Sequence, residues 1–307
     1  MSMCLISYLV TKKIFGRGYH RKGKKISSST QELMGPDFLG YLNDREEHRK
    51  ILEALPFKRV EIKSNDGLNL VAHYYAQPQG SKRTAILVHG HHSNGFEGYA
   101  ATGLAYIRQG FNILLPDNRS CGESEGKWCT FGLKESKDVL AWLQYLVKKT
   151  PDKVFVLHGC SLGGATVCMC SNLELPNQVK AIVSDCAFSN ISSQIAYTIQ
   201  ATSHLPGGLF MPGVSFWFKH LTGIALDSNS PLDSVKQAKV PMIFIHGGSD
   251  RYVLPDNSKQ LDKECPTKKE LVIIPGAGHA SARYIGQEKY EGPLFAFLDK
   301  YTREESV

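Results

Sequence analysis

At 307 residues, with 42% apolar and 21% charged positions, the chain is long enough to bury a large core and has the make-up of an ordinary globular protein. Its formal net charge of +7 belongs to residues 1–30, which hold seven Lys or Arg and no Asp or Glu, while the other 29 basic residues balance 29 acidic ones. A near-neutral body without a basic helix face or aromatic-basic interleaving excludes a nucleic-acid module, and no nucleic-acid partner is expected.

The leader, MSMCLISYLV followed by TKKIFGRGYHRKGKK, has too short an apolar run to span a bilayer, which takes about 20 residues. It also lacks the small-residue cleavage site of a secretory signal. Residues 1–30 read as a basic, flexible, solvated leader. Weak peripheral contact with an anionic membrane surface is the alternative, and a truncated anchor a third reading. Residues 31–56 form a polar, helix-prone segment, with one outer helix expected over Gln31–Leu55. Arg59–Lys63 and Leu68–Tyr75 alternate apolar and polar residues around Asn65-Asp66-Gly67, which predicts a hairpin.

From Thr84 strands alternate with helices, the rhythm of a mostly parallel sheet with crossovers. Strands are expected at Ala85–His89, Phe111–Pro116, Val154–His158, Ala181–Asp185, Met242–His246 and Glu270–Ile274. The clearest helices are Leu133–Lys149 and the closing Lys289–Tyr301. Residues 57–302 thus read as one α/β domain, a mostly parallel central sheet flanked by helices. A small helical cap, at about 187–237, is inserted after the sixth strand. Ile191–His204 and Phe210–Leu221 supply its main helices, and Phe188, Phe210 and Trp217 are expected in the substrate pocket.

The chemistry centres on VFVLHGCSLGGAT, where a buried-type strand runs into Gly159-Cys160-Ser161-Leu162-Gly163 and then a helix. This G-x-S-x-G pattern places Ser161 on a sharp turn as a nucleophile, with small residues two positions either side. Cys160 is expected to face the core. A serine hydroxyl needs a base, and the base needs an orienting acid. Among 11 histidines, His279 in PGAGHAS follows the last strand in a Gly-rich loop and comes after both serine and acid. Asp250, in HGGSDRYV beyond Met242–His246, is the acid; Asp185 is the runner-up, read instead as a tie for the loop into the cap. Backbone N–H groups of Leu162 and His91 are expected to form an oxyanion hole. The His91-His92 pair could suggest a metal, but no carboxylate stands beside it in sequence to complete a site. The eight cysteines show no C-x-x-C pair and read as reduced, buried thiols, which suits a cytoplasmic location; no metal and no cofactor are expected.

With VHGHHSN, PDNRSCGES, HGCSLGG, SDCAF, FIHGGSDRYV and PGAGHAS in this order, the chain resembles the α/β-hydrolase superfamily over about residues 57–302. It looks most like bacterial serine hydrolases related to prolyl-oligopeptidase-type catalytic domains and to cinnamoyl-type esterases. The resemblance implies a Ser161–His279–Asp250 triad and an oxyanion hole at His91 and Leu162. The expected function is cleavage of carboxylic esters of small or medium acyl groups through an acyl-enzyme. An aminopeptidase or acyl-peptide hydrolase acting on short peptides is the alternative, and a non-catalytic hydrolase-like binding module is a third reading.

Overall fold

All eight strands expected from the sequence form, in one sheet of order β1-β2-β4-β3-β5-β6-β7-β8. The computed structural model describes residues 3–17, 28–35, 38–151 and 153–303. β1 (Lys58–Lys63) and β2 (Asn69–Tyr75) make the antiparallel hairpin, and β2 continues antiparallel onto β4 (Asn112–Pro116). The remaining pairs are parallel: β3 (Arg83–Val88) with β4 and with β5 (Val154–Cys160), then β6 (Val179–Asp185), β7 (Met242–Gly247) and β8 (Lys269–Ile274).

The inner strands are buried along most of their length because helices cover both faces. Alternate residues feed two cores: Ile86, Val88, Phe155 and Leu157 on one face, Ala85, Leu87 and Val156 on the other. Twelve helices are described: α1 (Met3–Phe15), α2 (Ser28–Met34), α3 (Phe38–Ala54), α4 (Gly95–Arg108), α5 (Glu135–Lys149), α6 (Leu162–Cys170), α7 (Ile191–Ser203), α8 (Met211–Thr222), α9 (Pro231–Val235), α10 (Asp256–Glu264), α11 (Ala282–Ile285) and α12 (Gln287–Thr302). The cap after β6 holds α7, a 3₁₀ turn at Gly207–Leu209, α8 and α9. The chain leaves β3 toward β4 on one side, while β5 lies on the other. That is a switch point, where open α/β sheets hold their ligands beyond the strands' carboxyl ends.

Two expectations at the N-terminal end are corrected. Residues 31–55 are not one helix: α2 ends at Met34, before Gly35-Pro36, and α3 begins at Phe38. Proline lacks the N–H a continuing helix needs, and it disfavours helical geometry in the residue before it. Nor is the first part of the leader a solvated tail. α1 packs along α8, with Phe15 fully buried between Phe131 and Phe218 at ring separations of 5.0 and 4.6 Å. Burying a phenylalanine contributes about 1.5–3 kcal/mol, enough to bias a short helix toward docking. Of the leader's basic residues, Arg21, Lys22, Lys24 and Lys25 lie outside the described residues. Among those described, no helix is long and apolar enough to cross a membrane.

Candidate active site

Ser161 sits between β5 and α6 with φ 55° and ψ −117°, a conformation few side-chain-bearing residues adopt. The turn is tight enough that a Cβ on Gly159 would collide with the Gly163 carbonyl, and one on Gly163 with the Val88 carbonyl of β3. This is why the pattern needs glycine at both places. The Ser161 N–H donates to Asp185 O at 2.8 Å, and its own carbonyl accepts from Ala165 N at 2.9 Å, pinning the residue from both sides.

His279 follows β8 and reaches back across the sheet. Its Nε2 lies 2.9 Å from Ser161 Oγ and its Nδ1 2.7 Å from Asp250 Oδ2. A carboxylate accepts only, so Nδ1 carries the proton and Nε2 is left to accept from the serine hydroxyl. Asp250 is held in turn by the backbone N–H groups of Tyr252 and Val253, both 2.9 Å from Oδ1. Burial pushes the Asp250 carboxyl up, but the facing His279 and the hydrogen bonds from His246 and His279 outweigh it, holding it down at about 2. For His279 burial opposes the charged ring, yet the Asp250 carboxylate wins and raises it well above the usual 6.5. Cys186 Sγ completes a cluster with Asp250 and His279 within 4.8 Å. The one ring nitrogen of His279 with a lone pair, Nε2, faces Ser161 Oγ at 2.9 Å.

Asp185 is not part of this relay, and it does not tie the cap loop either. Its Oδ2 accepts from Tyr290 on α12 at 2.7 Å, while its Oδ1 is buried without a hydrogen bond. Burial raises its carboxyl to about 6 despite the Tyr290 hydrogen bond. Cys160 turns toward Cys186, Sγ to Sγ 3.7 Å, and packs against the core on the α12 side.

The loop after β3 runs beside Ser161: a Cβ on Gly90 would stand 3.5 Å from Ser161 Cβ. His91 and Leu162 both line the cleft next to Ser161. Leu162 opens α6, where a backbone N–H has no acceptor within its own helix. The imidazoles of this loop have another use. His91 Nε2 donates to Ile14 O at 2.8 Å and His92 Nε2 to Gly16 O at 3.1 Å, while Cys129 N donates to Phe15 O at 2.7 Å. The carbonyls that a helix leaves unpaired at its C-terminal end are thus received by the body of the protein. Burial, and then the neighbouring His92, push His91 down to about 3, so its ring is neutral.

The cleft, of about 80 Å³, is apolar for most of its wall. Phe188 lines it as expected from sequence, with Phe131, Tyr252 and Val253. Phe210 and Trp217 do not. Phe210 is buried in the core, and Trp217 turns to α1, where its ring meets Tyr8 at 5.0 Å and its Nε1 donates to Cys4 O. The cap contributes instead through Gln194, Ile195 and Thr198 of α7, and α1 contributes Ile14. The α7 residues share one face by their i, i+1, i+4 spacing, a signal present in the sequence. Ile14 carries none.

The family model described as alpha/beta hydrolase fold matches residues 86–202. The uncharacterized protein YqkD of Bacillus subtilis is 26% identical over 227 residues, 74% of each chain. The esterase Pf2001 of Pyrococcus furiosus superposes with a TM-score of 0.68 at 23% identity, over 83% of this chain and 94% of its own. An acylaminoacyl peptidase of Pyrococcus horikoshii gives 0.59 at 18% identity, over 84% of this chain and 44% of its own. At those identities the likeness to the two solved structures is one of fold.

Proposed function

We propose that the chain, which has the α/β-hydrolase fold, is a serine esterase. Its substrates are carboxylic esters of small or medium acyl groups, cleaved through an acyl-enzyme. The observation that carries the reading is the unbroken chain Ser161 Oγ to His279 Nε2 at 2.9 Å and His279 Nδ1 to Asp250 at 2.7 Å. His279 takes the serine proton as Oγ attacks the ester carbonyl, and Asp250 holds the ring and stabilises the imidazolium. The negative charge on the carbonyl oxygen meets the backbone N–H groups of His91 and Leu162. The imidazolium then protonates the departing alcohol, and water, activated by the same base, releases the acid.

An apolar cleft without an acidic side chain in its wall favours an acyl group over a peptide amino terminus, which would call for a carboxylate partner. The intact relay argues against a binding module that has lost its chemistry. The test is a series of p-nitrophenyl esters of graded acyl length beside aminoacyl p-nitroanilides, with Ser161→Ala as control. Ester turnover that vanishes in the variant is the expected result. Turnover confined to the anilides would make the protein a peptidase. Fluorophosphonate labelling that survives in Ser161→Ala would remove the serine from its role.

A further inference from the structure

None of the chain's 29 Asp and Glu residues falls in residues 1–31 or 191–226. The fold sets α1, from the first stretch, against α8, from the second. α1 lies along α8 through Tyr8 on Trp217, Trp217 Nε1 to Cys4 O at 3.2 Å, and Phe15 on Phe218. Gly213 comes so close to Ser7 that any side chain there would strike it. The outward sides of these elements carry Leu5, Leu9, Leu205, Leu209 and Phe216, five of the nine large apolar side chains exposed among the described residues. Leu209 and Phe216 are 65% and 61% exposed. The same elements carry exposed Lys12, Lys13 and Lys219. On α1 the order Leu5, Leu9, Lys12, Lys13 keeps apolar and cationic side chains on one helical face.

Exposed apolar side chains and cations on the same elements, with no carboxylate across the two stretches of chain, match an anionic lipid surface in both hydrophobicity and charge. We propose that the outer face of α1, the 3₁₀ turn and α8 docks onto anionic bilayers, Leu9, Leu209 and Phe216 entering the acyl boundary and Lys12, Lys13 and Lys219 lying over headgroup phosphates. α1 at 13 residues lies along the surface as part of the folded body and does not cross it. The same layer walls the cleft on its inner side through Ile14 of α1. A docked bilayer therefore stands about one helix diameter, roughly 10–12 Å, from the cleft.

The test is flotation of the full chain with vesicles of phosphatidylcholine alone and with about one third phosphatidylglycerol. Binding to the mixed vesicles that weakens as salt rises is the expected result. Leu9→Glu, Leu209→Glu and Phe216→Glu should each lower partitioning at least about tenfold. Lys13→Gln, a surface change that leaves the fold alone, should lower it about fivefold. Hydrolysis of a soluble short-chain ester stays at the wild-type rate in all four. Flotation reads binding and not turnover, so either reading can fail without the other. No enrichment on the mixed vesicles overturns the proposal, as does equal binding to neutral ones. So does a dimer, seen by light scattering, that Leu209→Glu converts to monomer without vesicle binding, since the face would then cover a second copy.

Discussion

The turn from β5 into α6 and the helix α1 border the same cleft, one bearing Ser161 and the other Ile14, yet they are specified in opposite ways. The turn is written locally: five consecutive residues carry Ser161 and the glycines that its backbone crossing requires. α1 is specified by residues far along the chain. Its carbonyls are received by His91, His92 and Cys129, and its buried Phe15 by Phe131 and Phe218. One border of the cleft can be read in a window of sequence, and the other exists only once the chain has closed on itself.

Substitutions on the two borders should separate chemistry from wall. Ser161→Ala is expected to lower kcat by about 10⁶ while the circular dichroism spectrum is unchanged; a fall below tenfold would place the nucleophile elsewhere. Asp250→Asn is expected to cost about 10⁴ in kcat/KM. Because Asp250 raises His279, and His279 must be neutral to act, the acid limb of wild-type kcat/KM should lie above the ordinary 6.5. The residual activity of Asp250→Asn should have its limb moved to lower pH.

Asp185→Asn supplies the contrast. The folded carboxyl is raised to about 6, so the stability it contributes is present below its unfolded pKa and lost as pH rises through 6. The asparagine should keep near-normal turnover and flatten the loss of Tm between pH 4 and 7. A turnover loss as large as that of Asp250→Asn would reverse the two assignments.

On the other border, Phe15→Ala should destabilise by about 3–5 kcal/mol in urea unfolding, an effect no solvated leader could show. The smallest change expected is in Ile14→Ala. Opening the cleft wall by a few methyl groups should shift preference toward longer acyl esters by about 1–3 kcal/mol, read as a change in kcat/KM ratios across the ester series. A profile that does not move would take Ile14 out of the acyl site.

The strands were legible because those buried on both faces are apolar but for an end residue, as in TAILV, NILLP and MIFIH, and because turn residues end them. Ser161, Asp250 and His279 could be proposed from the sequence because each lies just beyond a strand in a loop of small residues, with the G-x-S-x-G pattern and chain order pointing the same way. Trp217 and Phe210 were misread for a physical reason. An aromatic face on a cap helix can turn inward to the cleft or outward to a neighbour, and the neighbour, α1, carried no recognisable helical stripe. Its segment MCLISYLVTKKIF is apolar nearly all round before its lysines, which gives no single face to assign. The roles of the His91 and His92 rings were hidden for the same reason, since their acceptors lie 77 and 76 residues earlier.

The hydrogen bond from Trp217 to Cys4 spans 213 residues, and it gives the protein an order of assembly. During synthesis α1 emerges well before its seat on α8, by an interval of roughly 10–40 s at ordinary elongation rates. Over that interval Phe15 has no Phe218 to pack against, and the cleft lacks its Ile14 wall. Ribosome-stalled chains ending before Phe210 should therefore lose α1 to brief proteolysis, while chains extending past Thr222 by the length of the exit tunnel should keep it; equal protection in both would show that α1 docks without its partner helix. The newborn chain thus carries α1 and the Ser161 turn well before it holds the α8 surface that seats α1.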